Sequence, residues 1–145
     1  MIWKILALAA VLGAAGLVAF VRLAPTDPAR WHVDPVTAPD PATPNFARIA
    51  PGEVTGADLM ARADAALLAM PRTRRIAGSV AEGWATYETR SRLVGYPDYT
   101  SIRVIPGQGG ETLAAFARSR FGAGDWGVNA ARLAALRAAL AAPGA

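Results

Sequence analysis

The arginines in the second half of the sequence have the residue type and spacing of an anion-binding surface. Arg90 with Arg92, and Arg118 with Arg120, are pairs at a spacing of two, and Arg103 lies in a similar alternating pattern between them. Side chains two residues apart point to the same face of a β-strand. A guanidinium group forms two parallel hydrogen bonds with a carboxylate or a phosphate. The pattern therefore predicts a binding surface for a lipid headgroup, a phosphate or an acidic patch on a partner protein.

Two other interpretations of these arginines stay open on the sequence alone. Antiparallel sheets often keep one face in water, so the arginines would then form a solvated surface with Glu88 and other acids. A deep apolar cavity lined by Trp84, Tyr87 and Phe116 would instead favour an enzyme, or a small-ligand or lipid carrier, with a pocket beside the arginine cluster. Nucleic acid is not predicted as a partner. The net charge is only +4, and neither a helix-turn-helix nor an aromatic ribonucleoprotein motif is present.

Residues that build common catalytic sites are scarce. The sequence contains no cysteine, and His32 is its only histidine. No serine lies in a GxSxG turn, and the glycine-rich stretch GQGGET lacks the GK[ST] ending of a phosphate-binding loop. A lone histidine does not make a metal site of the usual kind. The sequence therefore favours a non-catalytic protein with no metal and no cofactor.

The N-terminus predicts a membrane anchor at residues 1–24. An uninterrupted run of apolar residues and glycine extends from Ile5 to Val21, with Lys4 before it and Arg22 after it. A helix of this length measures roughly 25 Å, near the lower limit for crossing a bilayer. A cleaved secretory signal is the competing interpretation, but the positions that a cleavage site requires lack suitable small residues. We therefore predict a single-pass protein of a bacterial inner membrane, with its soluble domain in the periplasm.

Residues 25–54 are predicted to form an extended segment. Seven prolines lie between Pro25 and Pro51. Proline cannot donate a backbone hydrogen bond or continue a helix. Trp31 and Phe46 are unusual in a bare linker, so we expect one of them to pack in a groove of the folded domain.

Residues 55–142 have the patterns of an α+β domain. A helix with Thr55 as its N-cap is predicted first, because the apolar residues that follow it fall on one helical face. Four segments with a period of two come next, and short turns separate them, which predicts an antiparallel sheet of about four strands. A second helix buries Leu133 and Leu136. The order α-β-β-β-β-α predicts a two-layer domain with the helices on one face of the sheet.

The chain resembles the domain-of-unknown-function 1499 family in the motifs PRT, GYPDY and SRFGAGDWGVNAAR. The resemblance extends from about Pro25 to Leu140. It implies a small bacterial or plastid-lineage protein, often with an N-terminal membrane segment, and no known activity. The motif residues expected to have structural roles are Arg72, Asp98, Asp125, Asn129 and Arg132. From the residues themselves, Asp125 is expected to cap the last helix and Arg120 to pair with it.

These patterns together predict a non-catalytic, membrane-anchored domain that acts as an accessory or docking subunit. Its expected partners are the lipid bilayer and, through the arginine-rich sheet face, an integral membrane protein complex or anionic lipid. The family resemblance adds no reaction to this prediction.

Overall fold

The computed structural model describes residues 1–108 and 110–142, within which four helices and six strands follow one another. The helices are α1 (Ile2–Leu23), α2 (Pro28–Trp31), α3 (Leu59–Ala69) and α4 (Val128–Ala141). The strands are β1 (Phe46–Ile49), β2 (Thr55–Gly56), β3 (Thr73–Ser79), β4 (Trp84–Arg90), β5 (Pro97–Gly107) and β6 (Gly110–Ser119). From α3 to α4 the order is the predicted α-β-β-β-β-α. The α+β class is therefore confirmed.

The six strands form one antiparallel sheet in the order β1-β6-β5-β4-β3, with β2 pairing separately with β6. The prediction of about four strands is wrong by these two short ones. Phe46 lies opposite Arg118, and Thr55 lies opposite Thr112. Without β1 and β2, β6 would be an edge strand with unpaired backbone groups. The stretch FARI can pair with β6 because the prolines lie outside it, at Pro44 and Pro51.

One face of the sheet packs against α3 and α4 to form the core. The alternation of period two determines which strand residues lie on this face, as the sequence predicted. The buried core residues of the sheet are Ile49, Ala85, Tyr87, Ile102, Leu113, Ala115 and Ala117, and those of the two helices include Leu59, Ala63, Leu67, Leu133 and Leu136. Small alanines on β6 face large leucines on the helices, which gives a mixed, interdigitated core.

The start of α3 differs from the prediction. Thr55 lies in β2 and is not an N-cap, and the helix begins four residues later at Leu59. Its first free N–H group is satisfied from the sheet, because Leu59 N donates to Glu111 Oε2 at 3.1 Å. A carboxylate supplied by a distant strand thus replaces a local cap.

Leu136→Ala is expected to lower the free energy of unfolding by about 2 to 5 kcal/mol, because the side chain is fully buried between α4 and the sheet. Urea denaturation of the protein in detergent measures this loss. Leu68→Ala is the matched control, since Leu68 lies on α3 with 40% of its surface exposed and should lose less than about 1 kcal/mol. Equal losses in the two variants would contradict the packing of α4.

Helix α1 is long and apolar enough to cross a membrane. It has 22 residues and a mean hydropathy of 2.3 over its most apolar window, and almost all of it is exposed. A signal sequence near an N-terminus has the same length and composition. The helix is therefore a membrane anchor or a signal sequence on these properties alone.

The last turn of α1 is part of the folded domain. Val21 is only 1% exposed, and the ring of Phe20 contacts that of Phe121 edge to face, with 6.2 Å between their centroids. Arg22 donates from Nη2 to the carbonyl of Leu93 at 2.9 Å and from Nε to that of Val94 at 3.2 Å. The end of the apolar helix is thus fixed to the loop that follows β4.

Candidate anion-binding sites

The sheet face opposite the helices is covered by the segment after α1. Trp31 stacks on Tyr99 and His32 stacks on Trp84, each with ring centroids 4.0 Å apart. The hydroxyl of Ser101 also donates to the carbonyl of Trp31. The expectation that Trp31 packs on the domain is confirmed. An open arginine face is not what the structure has, because aromatic side chains between the arginines bind the aromatic residues of this segment.

The five arginines predicted to share one surface lie in three different places. Arg103 forms an ion pair with Asp34 of the covering segment. Arg92 follows the end of β4, so it is not on a strand with Arg90. Arg118 and Arg120 are at the far end of β6 from the helix α3, beside α2. Arg90 lies with other arginines at the end of α1.

We define the junction cluster as Arg22, Arg72, Arg74, Arg90 and Arg92, which line one pocket of about 470 Å³ beside the last turn of α1. Thr73, Glu88, Ser91 and Gly95 complete the lining. Glu88 is the only acid among the nine lining residues. Five guanidinium groups against one carboxylate make the pocket strongly positive.

Glu88 organises two of these arginines. Its carboxylate is 0% exposed and pairs with Arg74, whose Nε is 2.9 Å from Oε2, and with Arg90, whose Nη2 is 2.5 Å from Oε1. Arg74 and Glu88 are direct cross-strand partners in β3 and β4. Arg90 also donates to the carbonyls of Gly95 at 3.2 Å and Val21 at 3.4 Å. The buried carboxylate therefore holds the domain side of the junction together.

The remaining arginines of the junction cluster have charge to spare. Arg72 has a left-handed backbone with φ 59° and donates from Nε to the carbonyl of Arg90 at 2.9 Å. Within residues 1–108 and 110–142, neither Arg72 nor Arg92 forms an ion pair with an acid. Both are exposed. They are the two arginines of the cluster that can meet an external anion without breaking an internal pair.

We define the Trp31 pocket as a second opening, of about 420 Å³, between α2 and the end of β6. Arg30, Arg118 and Arg120 line it together with Trp31 and Phe116. The guanidinium of Arg118 lies 4.7 Å from the Phe116 ring and 5.0 Å from the Trp31 ring. Burial and the nearby charge of Arg48 lower the pKa of Arg118 to about 10.

Arg120 does not form the expected pair with Asp125. It donates instead from Nη1 to the carbonyl of Pro25 at 2.8 Å and so fixes the chain just after α1. Asp125 accepts hydrogen bonds from the backbone N–H groups of Gly127 and Asn129, each at 3.0 Å, at the start of α4. Burial alone would raise the pKa of Asp125, but these hydrogen bonds outweigh it and lower the pKa. The side chain thus serves the start of α4 from two residues before the helix cap.

Three of the motif residues form one buried network. Arg132 donates from Nη2 to Asp98 Oδ2 at 2.9 Å and from Nη1 to Asn129 Oδ1 at 2.7 Å. Asn129 in turn donates to the carbonyl of Asn45 and to the hydroxyl of Ser119. The network joins β5, β6, α4 and the segment before β1. Arg72, the remaining motif residue besides Asp125, lies apart from it in the junction cluster.

No group of three or more His, Asp or Glu side chains that could hold a metal ion occurs in the described part of the chain. His32 accepts or donates a 2.9 Å hydrogen bond at Nδ1 with the Thr86 hydroxyl, and burial lowers its pKa although Glu82 opposes the shift. The cavity envisaged between Trp84, Tyr87 and Phe116 does not form. Tyr87 lies on the helix face of the sheet, whereas the other two lie on the covered face.

Sequence reasoning missed three arginines of the two sites, Arg22, Arg30 and Arg74. Arg22 was assigned only to the end of the anchor, and Arg30 to a spacer. Arg72 and Arg74 show the same spacing of two as the chosen pairs and directly precede a strand pattern, so this signal was available in the sequence.

Comparison with known proteins gives one match. A family model described as "Protein of unknown function (DUF1499)" matches residues 23–140, which is more than half of the chain. No curated protein and no solved structure matches the chain.

Proposed function

Because the chain belongs to the DUF1499 family of proteins of unknown function, its role has to be inferred from its own geometry, and we propose a non-catalytic, membrane-anchored domain that rests on anionic lipid headgroups. The observation that carries the proposal is the position of the junction cluster. Five arginines surround the point where the apolar helix α1 enters the domain.

The contacts at the end of α1 favour an anchor over a cleaved signal. Val21 is buried, and the Arg22 side chain holds two carbonyls of the loop after β4. Removal of α1 would take these contacts away and expose the surface beneath Val21. A helix whose last turn completes the fold of the domain is a helix that the mature protein retains.

The junction cluster lies where lipid headgroups would be. The apolar run of α1 ends at Val21, so the bilayer interface falls close to Arg22 and its neighbours. An arginine or lysine near an anionic membrane surface contributes about 1 kcal/mol to binding. Leu93 and Leu23, which are largely exposed next to the cluster, would enter the interface beside the arginines.

The proposal places the domain on the periplasmic side of a bacterial inner membrane. A short anchor at the extreme N-terminus commonly exports the domain that follows it. The arginines of the junction cluster would then bind phosphate groups of the outer leaflet of that membrane. An integral membrane protein with an acidic surface at the same depth would be held by the same contacts.

Arg72→Gln/Arg92→Gln is expected to remove the response of the protein to anionic lipid. The protein is placed in nanodiscs of phosphatidylcholine with or without about one third phosphatidylglycerol, and its urea denaturation is measured in both. We expect the anionic lipid to stabilise the native protein, with these two arginines contributing about 2 kcal/mol. High salt should reduce the effect, because the charges are screened.

Arg62→Gln/Arg137→Gln is the matched control. It removes the same charge from the helix layer, and neither residue lines the junction cluster. Comparing lipid compositions within each variant cancels any stability change that the substitutions cause by themselves. An equal response of both double variants to anionic lipid would refute the proposed surface.

A further inference from the structure

Arg118 is a buried cation that no acid neutralises. It is 7% exposed, and within residues 1–108 and 110–142 no carboxylate forms an ion pair with it. Its Nη2 donates to the carbonyl of Trp31 at 2.9 Å. Its Nη1 is buried without a hydrogen-bond partner.

A buried charge is unfavourable unless it is paired and fully hydrogen-bonded. The faces of Trp31 and Phe116 offset part of this cost through cation–π contacts. They leave the two N–H groups of Nη1 unsatisfied. Retention of such an arginine is understandable when the missing anion comes from outside the chain.

The Trp31 pocket has further groups that suit an anion. Arg30 and Arg120 lie in its lining near Arg118. The hydroxyl of Ser119, which also lines the pocket, accepts from Asn129 Nδ2 at 2.9 Å, and in the described chain no acceptor takes its own hydrogen. The one acid of the lining, Asp40, is already paired with Arg48 at 2.7 Å.

The pocket also has room and apolar surface for more than a bare ion. Its volume of about 420 Å³ lies in the range of small-molecule sites, and Trp31 and Phe116 contribute aromatic surface. An inorganic phosphate would leave most of this space filled with water. The combination of a buried donor with aromatic walls selects an anion attached to an apolar body.

We propose that the Trp31 pocket binds a small organic anion, a carboxylate or a phosphate on an aromatic or aliphatic body, with Arg118 Nη1 donating to the charged oxygen. The body lies against Trp31 and Phe116, and Arg30 and Arg120 add positive charge around the entrance. This site shares no residue with the junction cluster, so it does not depend on the proposed lipid contact.

Isothermal titration calorimetry of the full-length protein in detergent tests the proposal with four probes. Phenyl phosphate and benzoate carry the aromatic body, whereas inorganic phosphate and acetate lack it. We expect the two aromatic anions to bind, at least about tenfold more tightly than their small counterparts. The better member of the aromatic pair identifies phosphate or carboxylate as the preferred group.

Arg118→Gln should weaken binding of the aromatic anions by about tenfold or more, because the charge-assisted hydrogen bond is lost. The glutamine amide can still donate to the Trp31 carbonyl, so the variant should keep its melting temperature or gain a few degrees without ligand. Arg92→Gln, in the junction cluster, should bind as tightly as the unchanged protein.

Arg30→Gln and Ser119→Ala serve as a second pair of variants if Arg118→Gln does not fold, and each should weaken binding by several-fold. Three results would overturn the proposal. They are the absence of binding by all four probes, equal binding by Arg118→Gln and the unchanged protein, and equal binding of aromatic and small anions.

Discussion

Asp98→Ala is expected to lower the free energy of unfolding by about 3 to 5 kcal/mol, because it leaves Arg132 buried without its counter-charge. The two side chains are each less than a tenth exposed, and Arg132 Nη2 is 2.9 Å from Asp98 Oδ2. Arg132 also holds Asn129, so the loss would spread to the contact between α4 and the segment before β1. Urea denaturation of the protein in detergent measures the change.

Asp34→Ala is the matched control for this prediction. Asp34 pairs with Arg103, and the Arg103 side chain is 41% exposed, so that water can solvate the arginine that is left behind. The expected loss is about 1 kcal/mol or less. A double-mutant cycle of Asp98→Ala with Arg132→Ala should show strong coupling, since the second substitution removes the stranded charge. Similar losses for Asp98→Ala and Asp34→Ala would show that the buried pair is not special.

The core of the fold could be predicted because local patterns and burial agree there. A period of two in β4, β5 and β6 places Tyr87, Ile102 and Ala115 on one face, and the period of the last helix places Leu136 against them. The two extra strands could not be read in the same way. β1 and β2 have only four and two residues, and they pair because β6 offers an open edge, which is a property of the assembled sheet.

The location of the arginines shows the limit of pattern reasoning for the site. Alternation correctly put Arg90, Arg103 and Arg118 on the face opposite the helices. It could not reveal that Trp31 and His32 return to cover that face, because this contact joins residues more than 50 positions apart. It also could not place Arg92 beyond the end of β4, since the strand boundary depends on the hydrogen bonds that Ser91 makes within the following turn.

Arg74→Gln/Arg90→Gln is expected to lower the free energy of unfolding by about 3 to 5 kcal/mol, because it leaves Glu88 charged and buried without a cation. Glu88 is 0% exposed, and these are the two arginines that pair with it among the residues described. Water cannot reach the carboxylate in the native state, so the lost ion pairs are not replaced by hydration. Urea denaturation in detergent gives the change.

Arg72→Gln/Arg92→Gln removes the same charge from the same pocket without touching Glu88, and we expect it to lose no more than about 1 kcal/mol. Adding Glu88→Gln to Arg74→Gln/Arg90→Gln should recover much of the loss, because a buried neutral amide carries a far smaller desolvation penalty than a carboxylate. If the triple variant stays as unstable as the double variant, the stability comes from the contacts of Arg90 with Val21 and Gly95 instead of the charge pairs. In that case the arginines hold α1 to the domain through its backbone, and Glu88 is incidental to the junction.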